Sequence, residues 1–264
     1  MKKILSLIIA TVILALCFAS CSNGNTNEGT LSMATNANFP PYEFKDGENY
    51  AGIDVEIAGL IAEKLGLKLE IHDIEFGSII AGVQSGKFDM GMAGMTITDE
   101  RKKSVNFSDT YSTSEQSVIV KEDSIYKSFE EFYTGFDKDG NPNGVKDGIK
   151  IGVQQDTTGD IYSSSEPNEW GFSDKNVVRY KSGAEAVQAL ASGKVTAVII
   201  DNQPANEYVK STKGLKILEG AYTEEEYAIC VSKDNDELLG KINNALKQLK
   251  SEGKISEIIN KYIK

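Results

Sequence analysis

The sequence predicts an α/β protein of two similarly built lobes, each a mostly parallel sheet flanked by helices. Three observations carry this. From Leu31 onward, short apolar runs alternate with helix-period segments, the pattern of parallel-sheet architecture. Two stretches far apart in the chain repeat one plan of helix, Ser-Gly-Lys turn and strand. The chain has 264 residues, more than the ~100–200 of a typical single domain, so it has length enough for two modest cores.

The elements follow in order. Leu31 to Thr35 reads as a strand, and Gly52-Ile53-Asp54-Val55 leads into a helix that stops at Leu65-Gly66, a glycine being the usual C-terminal stop. Leu67 to Ile71 is the next strand. Phe76 to Ser85 is helical, with Ile79, Ile80 and Val83 at core spacing, and Phe88 to Met92 is a strand. The repeated plan runs from Ile80 through Ser85-Gly86-Lys87 to Asp89, and again from Ala186 through Ser192-Gly193-Lys194 to Val195. The first copy runs on into Gly94-Met95-Thr96 and the second into Ile200-Asp201-Asn202, so each lobe presents a strand end. Lys121 to Gly148 is rich in charge, Gly and Asn and reads as a surface insertion on the second lobe.

Composition bounds the function. With 40% apolar and 25% charged residues the chain is of ordinary globular type. Its 28 Lys+Arg against 39 Asp+Glu give a net charge of −11, a field that repels phosphate backbones and anionic membrane surfaces, so nucleic acid is excluded as a partner. Met1-Lys2-Lys3 and the apolar run from Ile4 to Ala19 read as a secretory signal, residues 1–20, too short for a comfortable membrane span. Its exit, Phe18-Ala19-Ser20-Cys21, is similar to a bacterial lipobox, with Phe18 where leucine is usual; the similarity implies a lipidated Cys21 and an extracytoplasmic, membrane-anchored protein. Residues 21–30 are polar and aperiodic and read as a tether. Cys17 leaves with the signal and Cys21 carries lipid, so Cys230 alone remains. It lies in the apolar run Tyr227 to Val231 and reads as core. Asp137-Lys138-Asp139-Gly140-Asn141-Pro142 begins like a calcium loop, but Pro142 stands at the sixth position where glycine is needed and Gly148 at the twelfth where glutamate is needed. No metal site is expected.

Three stretches together resemble the polar amino-acid-binding proteins of bacterial ABC importers. The first is Ala34 to Phe44 with Gly52 to Glu56, the second Ala93 to Lys103 running into Val105 to Tyr111, the third Ile151 to Gly159. The resemblance covers nearly all of the chain from Leu31 to Lys264. It implies a periplasmic-binding-protein fold with lobe 1 formed by 31–115 and 224–264, lobe 2 by 116–223, and two hinge strands, near Tyr111 to Glu115 and Thr223 to Tyr227. It also implies a monomer that needs no cofactor, binds a free L-amino acid and hands it to the permease subunits of an importer.

The same resemblance nominates site residues, and elementary chemistry says why their types fit. A buried amino acid needs a partner for each of its charges. Arg101 offers a carboxylate its planar fork of donors. Gly94, Met95 and Thr96 lie at a strand end, where ligands of α/β sheets bind. Gln154 ends the strand of the third stretch. Thr157 and Thr158 open a helix, whose free N–H groups attract an anion; the family often has Gly-Thr-Thr-Gly here, whereas this chain has Asp156 in the first place. Asp201 ends the run Ala197 to Ile200 just before Pro204, and is the candidate partner for the ammonium or, alternatively, a helix cap. Phe39 and Phe76 match positions whose rings sandwich the ligand side chain. Asn36 stands where relatives for cationic or amide side chains often carry aspartate, so an uncharged polar side chain is expected, a preference that Glu43 or Glu75 reverses if either points inward.

His72 is the only histidine, which excludes a histidine triad or a multi-histidine metal centre. Binding without chemistry is therefore the expectation. The rival is an enzyme, since cyclohexadienyl dehydratases resemble the same fold; a third reading is the ligand-sensing partner of a receptor.

Overall fold

The computed structural model describes residues 29–220 and 222–263. The signal segment and Cys21 lie outside the described residues.

In chain order the elements are β1 (Thr30–Thr35), β2 (Asn38–Phe39), β3 (Glu43–Asp46), β4 (Asn49–Ala51), α1 (Ile53–Leu65), β5 (Lys68–Asp73), α2 (Ile79–Gln84), β6 (Met90–Gly91), α3 (Asp99–Ser104), β7 (Val105–Phe107) and β8 (Ser112–Lys121). They continue with β9 (Ile151–Gln154), α4 (Thr158–Ser164), β10 (Val177–Tyr180), α5 (Gly183–Ala191), β11 (Ala197–Asp201), α6 (Asn202–Ser211), β12 (Leu215–Ile217), β13 (Thr223–Tyr227), β14 (Cys230–Ser232), α7 (Asp236–Ser251) and α8 (Lys254–Tyr262). One sheet has the order β5-β1-β6-β14-β7, the other β10-β9-β11-β8-β12, with β13 on β8. In each, the first three strands are parallel and the fourth, β14 or β8, runs antiparallel to its neighbours on both sides; β2, β3 and β4 form a separate small antiparallel sheet. The fold is thus two-lobed α/β, and β8 with β13, paired from Ser112↔Tyr227 to Gln116↔Thr223, carries the chain between the lobes.

Helix α1 shows how local chemistry sets the first lobe. Ile53, Ile57, Ala58, Ile61 and Ala62 recur on one face and are buried, each large side chain contributing about 1.5–3 kcal/mol by leaving water. The helix stops at Gly66, whose left-handed φ of 69° lets Gly66 N–H reach Glu63 O and Leu67 N–H reach Ala62 O, a Schellman ending. At its start, Ile53 and Asp54 donate their N–H groups to Pro41 O and Tyr42 O at 3.0 and 2.9 Å. That approach demands Gly52: a Cβ there would stand 2.2 Å from Tyr42 O. The contact fixes the 39–43 segment against α1.

The repeated plan is real at the backbone. Gly86 and Gly193 both take φ near the left-handed region, at 72° and 75°. Gly86 N–H bonds Val83 O and Lys87 N–H bonds Gly82 O; Gly193 N–H bonds Leu190 O and Lys194 N–H bonds Ala189 O. Both turns feed a strand into the middle of its sheet.

Some boundaries differ from expectation. The strand read as Phe88 to Met92 is only β6, because Asp89 replaces part of the ladder with its carboxylate, accepting from Ser32 N and Ser32 Oγ at 2.7 Å each. The segment from Phe76 opens as a single 3-10 turn before α2. Thr30, assigned to the tether, already belongs to β1. The 121–148 insertion is more than surface, since Phe129, Phe132 and Tyr133 pack with Phe172 and Ile151 into the second core. In its calcium-like turn the Asp137 carboxylate accepts from Asp139 N and Asn141 N at 2.9 Å each, an Asx turn. Among the described residues no cluster of metal-ligating groups occurs. Cys230 is fully buried between Ile79, Val83 and Val105, and burial pushes its thiol up to about 12, so it is inert core.

Candidate functional site

The ends of β1, β6, β9 and β11 converge on one small cavity of about 20 Å³, lined by Asn36, Phe39, Glu43, Phe76, Ala93, Gly94, Thr96, Arg101, Gln154, Thr157, Thr158 and Asp201. Strand carboxyl ends are where open α/β sheets place ligands. The structure therefore brings together every nominated residue except Met95. The Met95 side chain is fully buried in the hydrophobic cluster of Ile79, Val83, Phe88 and Val105, because alternation beyond β6 turns it away from its neighbours Gly94 and Thr96. Its nomination is corrected: only its backbone is engaged, Met95 O accepting from Ala228 N at 3.1 Å.

Arg101 is positioned by α3, whose N-cap Thr98 accepts from Arg101 N at 3.1 Å. The residue is buried, 7% exposed. It donates to Thr96 O at 2.8 Å and to Asp156 O at 3.2 Å, and lies 5.3 Å from the centre of the Phe76 ring, a stacking geometry. No carboxylate among the described residues forms an ion pair with it. Burial lowers its pKa, yet an arginine stays charged, so the cavity holds a desolvated cation that an anion would relieve.

Opposite it lies Asp201. It stands where a helix cap would, but its side chain caps nothing. It accepts instead from Gln116 Nε2 at 2.8 Å and from the Tyr227 hydroxyl. Burial, and then the neighbouring Glu225, hold its carboxyl well above the ordinary range. Thr157 does cap its helix: its hydroxyl accepts from Asp160 N at 3.4 Å and donates to Gln154 O at 2.8 Å. Asp156 takes the glycine place of the turn at φ 65°, a left-handed conformation that Asp tolerates better than most residues. Gly94, at φ 52°, leaves room for Phe39, since a Cβ there would sit 2.7 Å from that ring.

A second buried acidic pair contributes Glu43 to the cavity lining. Glu43 is 1% exposed, and burial, with Asp54 beside it, holds its carboxyl well above its usual range. Asp54 accepts from Gly94 N at 2.8 Å and the Tyr111 hydroxyl at 2.9 Å, while burial raises it to about 6. Glu43 Oε2 and Asp54 Oδ1 are buried without a partner. Glu75 by contrast is exposed and faces Lys181 at 3.7 Å.

Contacts cross between the lobes. Asn36 Oδ1 accepts from Gln154 Nε2 at 2.9 Å while Asn36 Nδ2 donates to Ile74 O at 2.7 Å, and the Tyr208 hydroxyl donates to Asn38 O at 2.7 Å. Gln116 and Glu225, both on the hinge strands and both buried, escaped the sequence reading. The signal for Glu225 was its phase: in Thr223 to Tyr227 it shares the inward face with Tyr227.

Because Glu43, Asp54 and Asp201 are all raised, the folded protein holds protons that the unfolded chain has lost. Its stability is full below the unfolded carboxylate range near pH ~4 and declines as pH rises through ~6, where Asp54 titrates, and beyond for the other two. We expect the urea midpoint of the protein without added amino acid to fall from pH 5 to 7.5, and Glu43→Gln to flatten that fall. A midpoint rising over this range would contradict the assignment.

Comparison with known proteins places this geometry. Residues 31–264 match the family model of bacterial extracellular solute-binding proteins, family 3. The chain is similar to the arginine-binding extracellular protein ArtP of Bacillus subtilis, 32% identical over 267 residues covering 99% of this chain and 98% of that protein. Among solved structures it is similar to an ancestral arginine-binding protein bound to arginine (39% identity, TM-score 0.78, 89% and 99% of the two chains). It is similar too to the ancestral amino acid-binding protein AncCDT-1, a precursor of cyclohexadienyl dehydratase (34%, 0.77, 89% and 96%). These relatives are binding proteins, and the chain belongs to the bacterial extracellular solute-binding proteins, family 3.

Proposed function

We propose that the protein captures a free L-α-amino acid by closure of its two lobes and delivers it to the permease of an ABC importer, tethered outside the cell by lipid on Cys21. One observation carries the ligand class: a buried, carboxylate-free Arg101 and a buried Asp201 line one cavity from opposite lobes. Such a cavity reads a carboxylate and an ammonium together. A space of about 20 Å³ is far below the ~300–1,000 Å³ of sites for drug-sized ligands, so the lobes part to admit the ligand and reclose on it, β8 and β13 bending. Ligand touching both lobes favours the closed form.

The side chain of that amino acid is cationic in this reading, L-arginine above L-lysine. Asn36 was expected to serve an uncharged polar group, but both its polar atoms are engaged by Gln154 and Ile74. Glu43 instead faces inward with an unpartnered oxygen, and a guanidinium satisfies a carboxylate with two parallel bonds. The arginine named for ArtP and for the ancestral structure supports the same choice.

A thermal-shift screen of the twenty amino acids tests this. At ~100 times its Kd a ligand stabilises by about 2.7 kcal/mol, an easily read shift. L-Arginine is expected to lead, its methyl ester to give nothing, and Arg101→Ala to weaken binding by ~2–5 kcal/mol, roughly thirty-fold to several thousand-fold. An ester as good as the acid, or an Arg101→Ala variant within about threefold of wild type, removes Arg101 from the site. For the anchor, mass spectrometry of the native N-terminus is expected to show a diacylglyceryl Cys21; an unmodified start downstream of it excludes lipidation.

A further inference from the structure

The amino-acid reading uses Asp201 for the ammonium and leaves Glu225 without a task. Glu225 is 5% exposed, lies on β13 directly behind Asp201, and shares a donor with it: Gln116 Nε2 donates to Asp201 Oδ2 at 2.8 Å and to Glu225 Oε2 at 3.0 Å. The Thr96 hydroxyl donates to the same Glu225 oxygen at 3.0 Å, and the Thr96 carbonyl accepts from Arg101. Glu225 Oε1 has no partner. A carboxylate with a bare oxygen, beside another carboxylate and joined through Thr96 to the strand end that holds Arg101, is a costly thing to bury for structure alone.

We propose that Glu225 is a further positioning residue of the site: with Asp201 it forms a two-carboxylate seat that accepts the ligand ammonium in exchange for a proton. Burial and the neighbouring Glu225 carboxylate favour the protonated form of Asp201, so without a cation the Asp201 carboxyl holds a proton that a nearby positive charge can displace. When an ammonium arrives, its positive charge stabilises both ionised groups and that proton leaves to solvent. The wide cleft on the hinge side, lined by Thr96, Tyr162 and Glu225, gives that proton a way out. The groups that face the pair are Gln116 and Ser114 of β8, Thr158 and Tyr162 of α4, Tyr227 of β13, Thr96, and Arg101 of α3 as the nearest cation. Glu43, paired with Asp54, also lines the cavity and feels the Asp201 charge. The low-pH proton therefore competes with the ligand, and affinity rises with pH by up to about tenfold per unit while the pair still holds its proton.

This rests on the amino-acid reading, and two measurements separate the fates of the two. In the first, L-arginine is titrated calorimetrically into the full chain at pH 7 in phosphate and in Tris, which gives the protons released per ligand. Glu225→Gln is expected to release fewer than wild type by about half to one proton, and Glu225→Asp to keep the release. Equal release by wild type and Glu225→Gln, whatever their affinities, overturns the proposal, because a merely structural Glu225 would change affinity without changing proton count. In the second, the Asp201 carboxyl carbon is followed by NMR against pH without amino acid. Its midpoint is expected well above the ordinary ~3.9 in wild type and lowered in Glu225→Gln; the same midpoint in both overturns the seat even if L-arginine binds. A wild type that binds no amino acid sinks the reading of the site, and the carboxyl titration then decides the pair by itself.

Discussion

A guanidinium buried at the meeting of two sheets without a carboxylate is the constraint from which the rest of this site follows. Arg101 is desolvated, and it draws the Thr96 and Asp156 carbonyls and the Phe76 ring around itself. The helix that carries Arg101 is started by its Thr98 cap, and its guanidinium then ties the strand end at Thr96 to the left-handed turn at Asp156. They spread the charge without cancelling it. No carboxylate among the described residues forms an ion pair with Arg101, which leaves its fork of donors open to an anionic group.

The same logic governs the acids. Asp201 with Glu225, and Glu43 with Asp54, are buried carboxylate pairs, and one member of each, Asp201 and Glu43, lines the cavity. Burial raises Asp201, Glu43 and Asp54, so each of these carboxyls favours a proton or a cationic partner. A zwitterion with a cationic side chain therefore matches the cavity charge for charge, while a sugar or a dicarboxylate leaves at least one of them unanswered. Hydrogen bonds from Gly94, Tyr111, Gln116 and Tyr227 hold these carboxyls in place beforehand, so binding need not order them. Gly52 is the remote support: its missing Cβ lets the 39–43 segment lie on α1, which sets Glu43 beside Asp54.

Much of this was legible in the residues. The alternation of strand and helix, the twin Ser-Gly-Lys turns and the glycine stop at Gly66 are local signals, written by backbone conformations that few residues other than glycine adopt cheaply. Arg101, Thr157 and Asp201 were nominated through the family resemblance, and their places at strand ends or helix starts fit the roles that it implies. Met95 was misplaced because a matched stretch says nothing about which of its side chains turn inward. Asn36 was read as a free amide, although tertiary contacts with Gln154 and Ile74 occupy it. Gln116 and Glu225 went unseen because they lie on hinge strands whose pairing, Gln116 with Thr223 and Glu115 with Glu224, exists only once the chain has returned from the second lobe. Glu43 was left undecided for a like reason: nothing in its own segment shows the α1 surface against which it folds.

The central claim is that one cavity reads both charges of an amino acid, with Arg101 on one lobe and Asp201 on the other. A crystal structure of the full chain grown with its best-binding amino acid tests it most directly. The account predicts the ligand carboxylate within about 3 Å of the Arg101 guanidinium and the ammonium within about 3 Å of Asp201, at ordinary charge-assisted hydrogen-bond distance. A ligand bound with its carboxylate away from Arg101, or seated in the hinge-side cleft instead, would contradict it.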